Sequence, residues 1–336
     1  MNFVSIDLLR ALACVMIFLY HCNTFLPGEW KFITLFGEDI GNNLFFMISG
    51  FTLYRSVMAA PFKDFLPWYG KRLYRILPLL ILAYVLSGFS GFYGFSDKAQ
   101  VFAVFVYPTL YWFVTGILAF YPVLFVLGKL VRPPYMLAVS IFLLVLALQR
   151  SGTLECHYLT GFFAMYAGFC LAGSYNKTSP DGEVLKSLKA ATGFPDMKSG
   201  AGMPKFHISY WISAIAMTLA YIVAKRYFPG RVSLVFAMLL CIFLVSAFVV
   251  TEDGFKAFAD KRVKLYGFLK HVGNMALVLY LVQCFNGGLI GFTIGQRVKF
   301  PLSFFVNFAV IWSLTCGLYF LDRLLFRRNI GGMRSK

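Results

Sequence analysis

Ser5-Ile6-Asp7-Leu8-Leu9-Arg10-Ala11-Leu12-Ala13-Cys14-Val15-Met16-Ile17-Phe18-Leu19-Tyr20-His21 opens the chain as an apolar segment with an acid and a guanidinium at its head and an imidazole at its far end. At about 100° per residue, the eleven steps from Arg10 to His21 return within roughly 20° of the start, and the fourteen from Asp7 miss by about 40°. All three side chains therefore share one stripe of a helix. In lipid such a stripe is costly unless it faces protein or a wet cavity, and an intramembrane titratable group there points to function. The plainer alternative is a helix held to its neighbours by satisfied polar contacts.

The rest of the chain supplies the same solvent. Of 336 residues, 60% are hydrophobic, 19% aromatic and only 13% charged, with a mean hydropathy of +0.73. Soluble globules carry about 25% charged residues, so the chain reads as a membrane protein throughout. A helix needs about 20 mainly apolar residues to cross the hydrocarbon. By that rule ten spans are expected, at 6–26, 41–60, 76–94, 101–128, 135–150, 158–175, 208–228, 231–251, 272–294 and 301–322. The fourth contains Pro108, which leaves open a short re-entrant piece followed by a true span from about 110. The first is not a cleavable signal peptide, because charges sit at its head and Pro27-Gly28-Glu29 offers no small-residue cleavage pattern.

The predicted fold is an all-α polytopic bundle with both termini cytoplasmic. With the N-terminus inside, 23 of the 31 basic residues fall on the inner side, as the positive-inside rule asks. Lys225, Arg226 and Arg231 are the local exception. The net charge of +17 needs no nucleic-acid partner, since basic inner loops facing anionic lipid account for it. Residues 1–336 read as one integral membrane domain with a hydrophilic cytoplasmic loop at about 176–206 and no appended soluble domain.

Seven cysteines lie within or beside spans and read as small buried apolar residues, not as a disulfide framework. His21, His157, His207 and His271 show no metal-ligand spacing, so no metal is expected. Neither a P-loop nor a G-x-G-x-x-G is present, so no nucleotide-hydrolysing machinery is visible.

Two further stretches carry polar groups. Asn42-Asn43-Leu44-Phe45-Phe46-Met47-Ile48-Ser49-Gly50-Phe51 places amides and a Ser-Gly pair in the second span, a pattern that also suits close helix packing. Trp68-Tyr69-Gly70-Lys71-Arg72-Leu73-Tyr74-Arg75-Ile76-Leu77-Pro78 sets two arginines three apart, sharing a face if the segment is helical. Paired guanidinium forks suit phosphate or carboxylate better than lysine does. A juxtamembrane positive cluster is the competing explanation.

These residues, taken in order, resemble the acyltransferase-3 family of integral membrane acyltransferases. Asp7-Leu8-Leu9-Arg10-Ala11-Leu12-Ala13 leading to His21 is similar to the family's D-x-L-R-A-x-A opening and following histidine, and Phe45-Phe46-Met47-Ile48-Ser49-Gly50-Phe51 to its F-F-x-x-S-G-F. Arg72-Leu73-Tyr74-Arg75-Ile76-Leu77-Pro78 is similar to R-x-x-R-I-x-P, and Tyr111-Trp112-Phe113 running to Tyr121-Pro122 to W-F-L…Y. Two departures stand out. Thr115-Gly116-Ile117-Leu118-Ala119 lacks the glutamate that many members carry, and in Tyr280-Leu281-Val282-Gln283 a glutamine occupies the place of a histidine. Glutamine hydrogen-bonds but takes up no proton at neutral pH.

The resemblance implies acyl transfer, acetyl in particular, from cytoplasmic acyl-CoA to a hydroxyl of a polysaccharide, envelope glycan or similar acceptor, in a multi-pass protein of the cell membrane. His21 is then the expected base, with Arg10 either orienting the donor or stabilising negative charge on the thioester oxygen, and Asp7 paired with Arg10. Arg72 and Arg75 are expected to hold the donor's phosphates. Ser49, Asn43, Trp112, Tyr280 and Gln283 are supporting candidates, and Cys22 and Ser49 are possible sites of an acyl-enzyme. The rival is a non-enzymatic transporter or flippase of a glycan or lipid-linked intermediate, which would equally use ten spans and intramembrane charges.

Overall fold

The computed structural model describes residues 3–89, 112–130, 153–175, 204–228, 230–283 and 298–324. Every α or β element among them is a helix. In chain order they are α1 (Val4–His21), α2 (Asn42–Ala59), α3 (Phe65–Phe89), α4 (Trp112–Leu130), α5 (Thr153–Tyr175), α6 (Pro204–Tyr227), α7 (Arg231–Val250), α8 (Glu252–Lys261), α9 (Val263–Asn274), α10 (Ala276–Gln283) and α11 (Leu302–Asp322). Short segments of 3-10 or π helix, the longest Gly28–Thr34, join α1 to α2 and α2 to α3.

Among the described residues, α1, α4, α6 (from Ile208), α7 and α11 are each long and apolar enough to cross a membrane. The pair α9 and α10, bent by 54° at its break, makes a sixth candidate. The described residues thus hold five or six candidate spans where ten were expected, and helices at expected positions differ from expectation in two places. Helix α3 starts at Phe65, eleven residues before the expected span, because Pro67 falls in its first turn, where a missing N–H costs nothing. The expected ninth span is broken at Met275, between α9 and α10. The expected span 135–150, the first part of the fourth and nearly all of the loop at 176–206 lie outside the described residues.

The chain divides into two compact units. The first comprises residues 1–9, 42–65 and 116–263. At its centre α2 crosses α5 at backbone contact. A Cβ on Gly50 would overlap the Met165 carbonyl, and one on Gly168 would overlap the Met47 carbonyl, so each helix places its glycine against the other's main chain. Small residues that admit such approach replace the hydrophobic drive that lipid does not provide. Helix α7 lies against α2, α5 and α6, with Cys156, Leu234 and Met238 buried together and Trp211 packed on Phe248 at 5.3 Å between ring centres. On its other side α6 exposes Ile208, Ile212, Ile215, Leu219 and Val223, a continuous apolar face that water would not tolerate and lipid would.

Glu252 ties this unit to the start of the chain. Helix α7 ends where the Thr251 hydroxyl donates to the Ala247 carbonyl, and Glu252 follows as the first residue of α8. Its Oε1 accepts from the Val4 N–H at 2.9 Å and its Oε2 from the Ser5 N–H at 3.0 Å. These N–H groups belong to the first turn of α1, which has no carbonyl of its own to give them. The carboxylate, itself buried, meets the positive end of the helix dipole.

The second unit comprises residues 10–41, 66–115 and 264–336. In it α10 packs on α11, and α11 runs antiparallel to α1: Asn307 meets Cys22 at 3.5 Å and Phe308 meets Phe18 at 5.6 Å between ring centres. Helix α11 is inside out by the standards of a soluble protein. Ser303, Asn307, Thr315 and Asp322 are buried while Leu302, Phe305 and Phe320 are exposed, each above 60%.

Two hydrogen bonds to one buried carboxylate contribute roughly 3 kcal/mol or more. Glu252→Ala should therefore lower the thermal unfolding midpoint in detergent clearly, Glu252→Gln by less, and Asp253→Ala at the exposed neighbouring position hardly at all. Equal midpoints for Glu252→Ala and Asp253→Ala would show that the carboxylate does not secure α1.

Candidate functional site

Helix α1 carries Asp7, Arg10 and His21, all half-buried, so the stripe read from the sequence exists as a helix face partly covered by protein. His21 closes the helix, with the Tyr20 ring edge-on at 5.4 Å. The following residue, Cys22, is fully buried and receives the hydrogen bond from the Asn307 Nδ2. Asn307 is itself fully buried, and its Oδ1 has no partner among the described residues.

The opposite side of α1 supports a turn at 37–41. A Cβ at Gly37 would overlap the Tyr20 side chain and the Met16 carbonyl, and one at Gly41 would approach Ile17 Cγ1 to 2.6 Å. The turn therefore sits directly on the helix, and it carries Asp39 buried at 4% exposure. A buried carboxylate so close in the chain's packing to the His21 end of α1 escaped the sequence reading. Its signal was the glycine at each end of Gly37-Glu38-Asp39-Ile40-Gly41.

Because α3 begins at Phe65, Arg72 and Arg75 lie in continuous helix and share a face. The Arg72 guanidinium lies 3.8 Å from the Trp68 ring centre, and its Nη1 donates to the Trp68 carbonyl at 2.9 Å. One turn of helix thus holds the fork in place through stacking and a hydrogen bond. Arg75 and Tyr74 are exposed on the same stretch. The expectation of two similarly directed arginines stands on observed helix geometry.

Trp112 starts α4, and its neighbour Phe113 packs against Tyr280 of α10 at 5.0 Å between ring centres. Tyr280 and Gln283 are both buried, and neither Nε2 nor Oε1 of Gln283 has a hydrogen-bond partner among the described residues. A buried amide left unmatched costs about 1–3 kcal/mol, so Gln283 is placed at a stability cost. The departure from the family pattern is a buried polar position as well as a changed letter.

Asp7, Asn43 and Ser49 belong to the first unit. Asn43 is buried and Ser49 half-buried, and the Ser49-Gly50 pair is accounted for by the close approach of α2 to α5. Cys14, Cys22, Cys156, Cys170 and Cys241 are buried and Cys316 is half-buried, each without a disulfide. Among the described residues no three His, Cys, Asp or Glu side chains gather as a metal site would require.

A family model described as an acyltransferase domain matches residues 3–321 of this chain. The chain belongs to the acyltransferase-3 family. No curated protein and no solved structure gives a match. The match runs from the residue before α1 almost to the end of α11.

Sequence reading missed Glu252, Asn307 and Asp39. Asn307 had a visible signal, since Ser303, Asn307 and Thr315 recur at four and eight residues and so fall on one face of an otherwise apolar helix.

The seat of the 37–41 turn on α1 is testable. Gly37→Val should cost about 1–3 kcal/mol of stability by overpacking, read as a lower unfolding midpoint, whereas Gly28→Ala, where a Cβ meets nothing within 4 Å, should leave it unchanged. A midpoint unmoved by Gly37→Val would mean that the turn does not bear on α1.

Proposed function

We propose that this acyltransferase moves an acyl group, acetyl in the first instance, from cytoplasmic acyl-CoA to a hydroxyl of a polysaccharide, envelope glycan or similar acceptor. It does so as one ten-span domain of the cell membrane with both termini in the cytoplasm. The observation that carries the reading is the family match over residues 3–321, with His21 and Arg10 on the single helix α1 inside it.

The chemistry asks for few groups. The His21 imidazole takes the proton of the acceptor hydroxyl as its oxygen attacks the thioester carbonyl. Arg10 stabilises the negative charge that gathers on the carbonyl oxygen, and Asp7, three residues earlier, orients Arg10. When the intermediate collapses, the carbon–sulfur bond breaks and the imidazolium returns the proton to the departing thiolate. The products are the ester and free coenzyme A, with no change of oxidation state. Arg72, held by Trp68, and Arg75 bind the donor's phosphates, a role suited to two guanidinium forks on one helix face. Asn43, Ser49, Trp112, Tyr280 and Gln283 support the site. The stacked Arg72 favours this reading over a transporter, which has no thioester donor to hold.

Transfer of labelled acetyl from acetyl-CoA to membrane and glycan fractions tests the proposal. His21→Ala at matched expression should lower transfer by about a hundredfold or more. Arg72→Ala and Arg75→Ala should abolish the rise in unfolding midpoint produced by coenzyme A, while His21→Ala keeps it. Equal transfer by wild type and His21→Ala would remove His21 as the base, and absence of both binding and transfer would favour the transporter.

A further inference from the structure

Shortly after α1 ends at His21, the second unit carries two aromatic rings into the open. Gly28–Thr34 is a 3-10 helix. The Trp30 N–H donates to the Pro27 carbonyl at 3.0 Å at its start, and the Thr34 hydroxyl donates to the Lys31 carbonyl at 2.8 Å at its end. Thr34 is buried, whereas Trp30 is 47% and Phe32 67% exposed, with Glu29 and Lys31 exposed beside them. The backbone is therefore ordered by local hydrogen bonds while its two largest apolar side chains have only partial cover among the described residues.

Trp30 packs on the ring of Phe300, 6.2 Å away between ring centres. Phe300 is itself exposed and stands just before α11, whose exposed side continues the patch through Leu302, Phe305 and Phe308. At about 100° per residue these three span roughly 120° of the helix, opposite Ser303 and Asn307, which are buried. That side of α11 is the uncovered, lipid-facing side of a candidate span. Because α11 runs antiparallel to α1, with Asn307 on Cys22 and Phe308 on Phe18, the start of α11 and the end of α1 lie at one level. The 28–34 helix meets the patch at that level, where spans give way to their flanking segments. Its composition suits neither water nor hydrocarbon alone. Bare Trp and Phe continuous with a lipid-facing stripe are costly in water, and Glu29, Lys31 and Lys299, all exposed, are costly in hydrocarbon. The headgroup layer takes both, since an indole has an apolar body and a polar N–H, and a lysine stem can lie along apolar surface while its ammonium meets phosphate.

We propose that Gly28–Thr34 is an interfacial anchor, with Trp30 and Phe32 seated in the phospholipid headgroup layer as a continuation of the lipid-facing side of α11. Lys31 and Lys299 meet the lipid phosphates. The partner is the phospholipid surface itself, and the inference stands whether or not the acyl-transfer reading holds.

The test uses the full-length chain in phosphatidylcholine nanodiscs. Of its five tryptophans, Trp30 is isolated by subtracting the emission of Trp30→Phe from that of the wild type. The difference should fall by at least about twofold when the lipid carries bromine high on its acyl chains, and by less when the bromine lies at the chain ends, as suits a ring about 5–10 Å into the boundary. Phe32→Trp should add emission quenched in the same order, and it supplies a second reading if Trp30→Phe folds poorly. Iodide in the aqueous phase should quench both by less than the brominated lipid does. Stronger quenching by iodide than by either brominated lipid would overturn the proposal in favour of a water-facing patch, and protection from that iodide by methyl glucoside would assign the patch to a sugar instead. Quenching by neither would overturn it in favour of cover by another part of the chain.

Discussion

The Glu252 carboxylate on the N–H groups of Val4 and Ser5 is the interaction on which α1 depends. In lipid, a helix start without partners loses several kilocalories for each bare amide, and no water is at hand to make up the loss. A residue about 250 positions away supplies both acceptors at once, and its negative charge also opposes the dipole of the helix it caps. Helix α1 bears Asp7, Arg10 and His21 in one continuous run of helix, and the carboxylate secures its first turn. Backbone satisfaction and placement of the chemistry are here one problem with one solution.

Lipid as solvent explains the rest of the packing. Apolar burial gives little reason for helices to associate when the surroundings are as apolar as the side chains, so contact must come from close approach and from polar pairing. The reciprocal seating of Gly50 and Gly168 on each other's helix supplies the first. Helix α11 supplies the second, with its buried polar stripe turned inward and phenylalanines turned out. A stripe of that kind is tolerated only where protein covers it, and on α11 the Asn307 Nδ2 meets Cys22 while its Oδ1 has no partner among the described residues.

Local features of the sequence carried most of the helices, because twenty apolar residues in a row admit few other structures in a membrane. The stripe on α1 and the shared face of Arg72 and Arg75 were legible for the same reason: helix geometry converts spacing into direction without further information. What the sequence withheld is what depends on partners far along the chain. Glu252 looks like an ordinary acid beside Asp253, and nothing near it announces two amides at the N-terminus. The break at Met275 follows directly on Gly273-Asn274, close to the start of the run expected as the ninth span. The early start of α3 was hidden by Lys71, Arg72 and Arg75, whose charge reads as loop although their stems and forks sit comfortably along a helix at a membrane boundary.

The glutamine at position 283 bears on the proposed chemistry through what an amide lacks. A second imidazole would offer a separate route for a proton on the acceptor side, whereas glutamine can only donate and accept hydrogen bonds. In the proposed mechanism the proton removed from the acceptor is carried by His21 and returned from the same ring to the departing thiolate. Acceptor oxygen and thioester sulfur must then both come within reach of a single imidazole, one after the other, with the carbonyl carbon between them. Such a site has little tolerance for a loosely held acceptor, since about 1 Å of misplacement can cost a hundredfold in rate. Firm binding of the acceptor outside the reacting atoms is the natural counterpart of a site with one base.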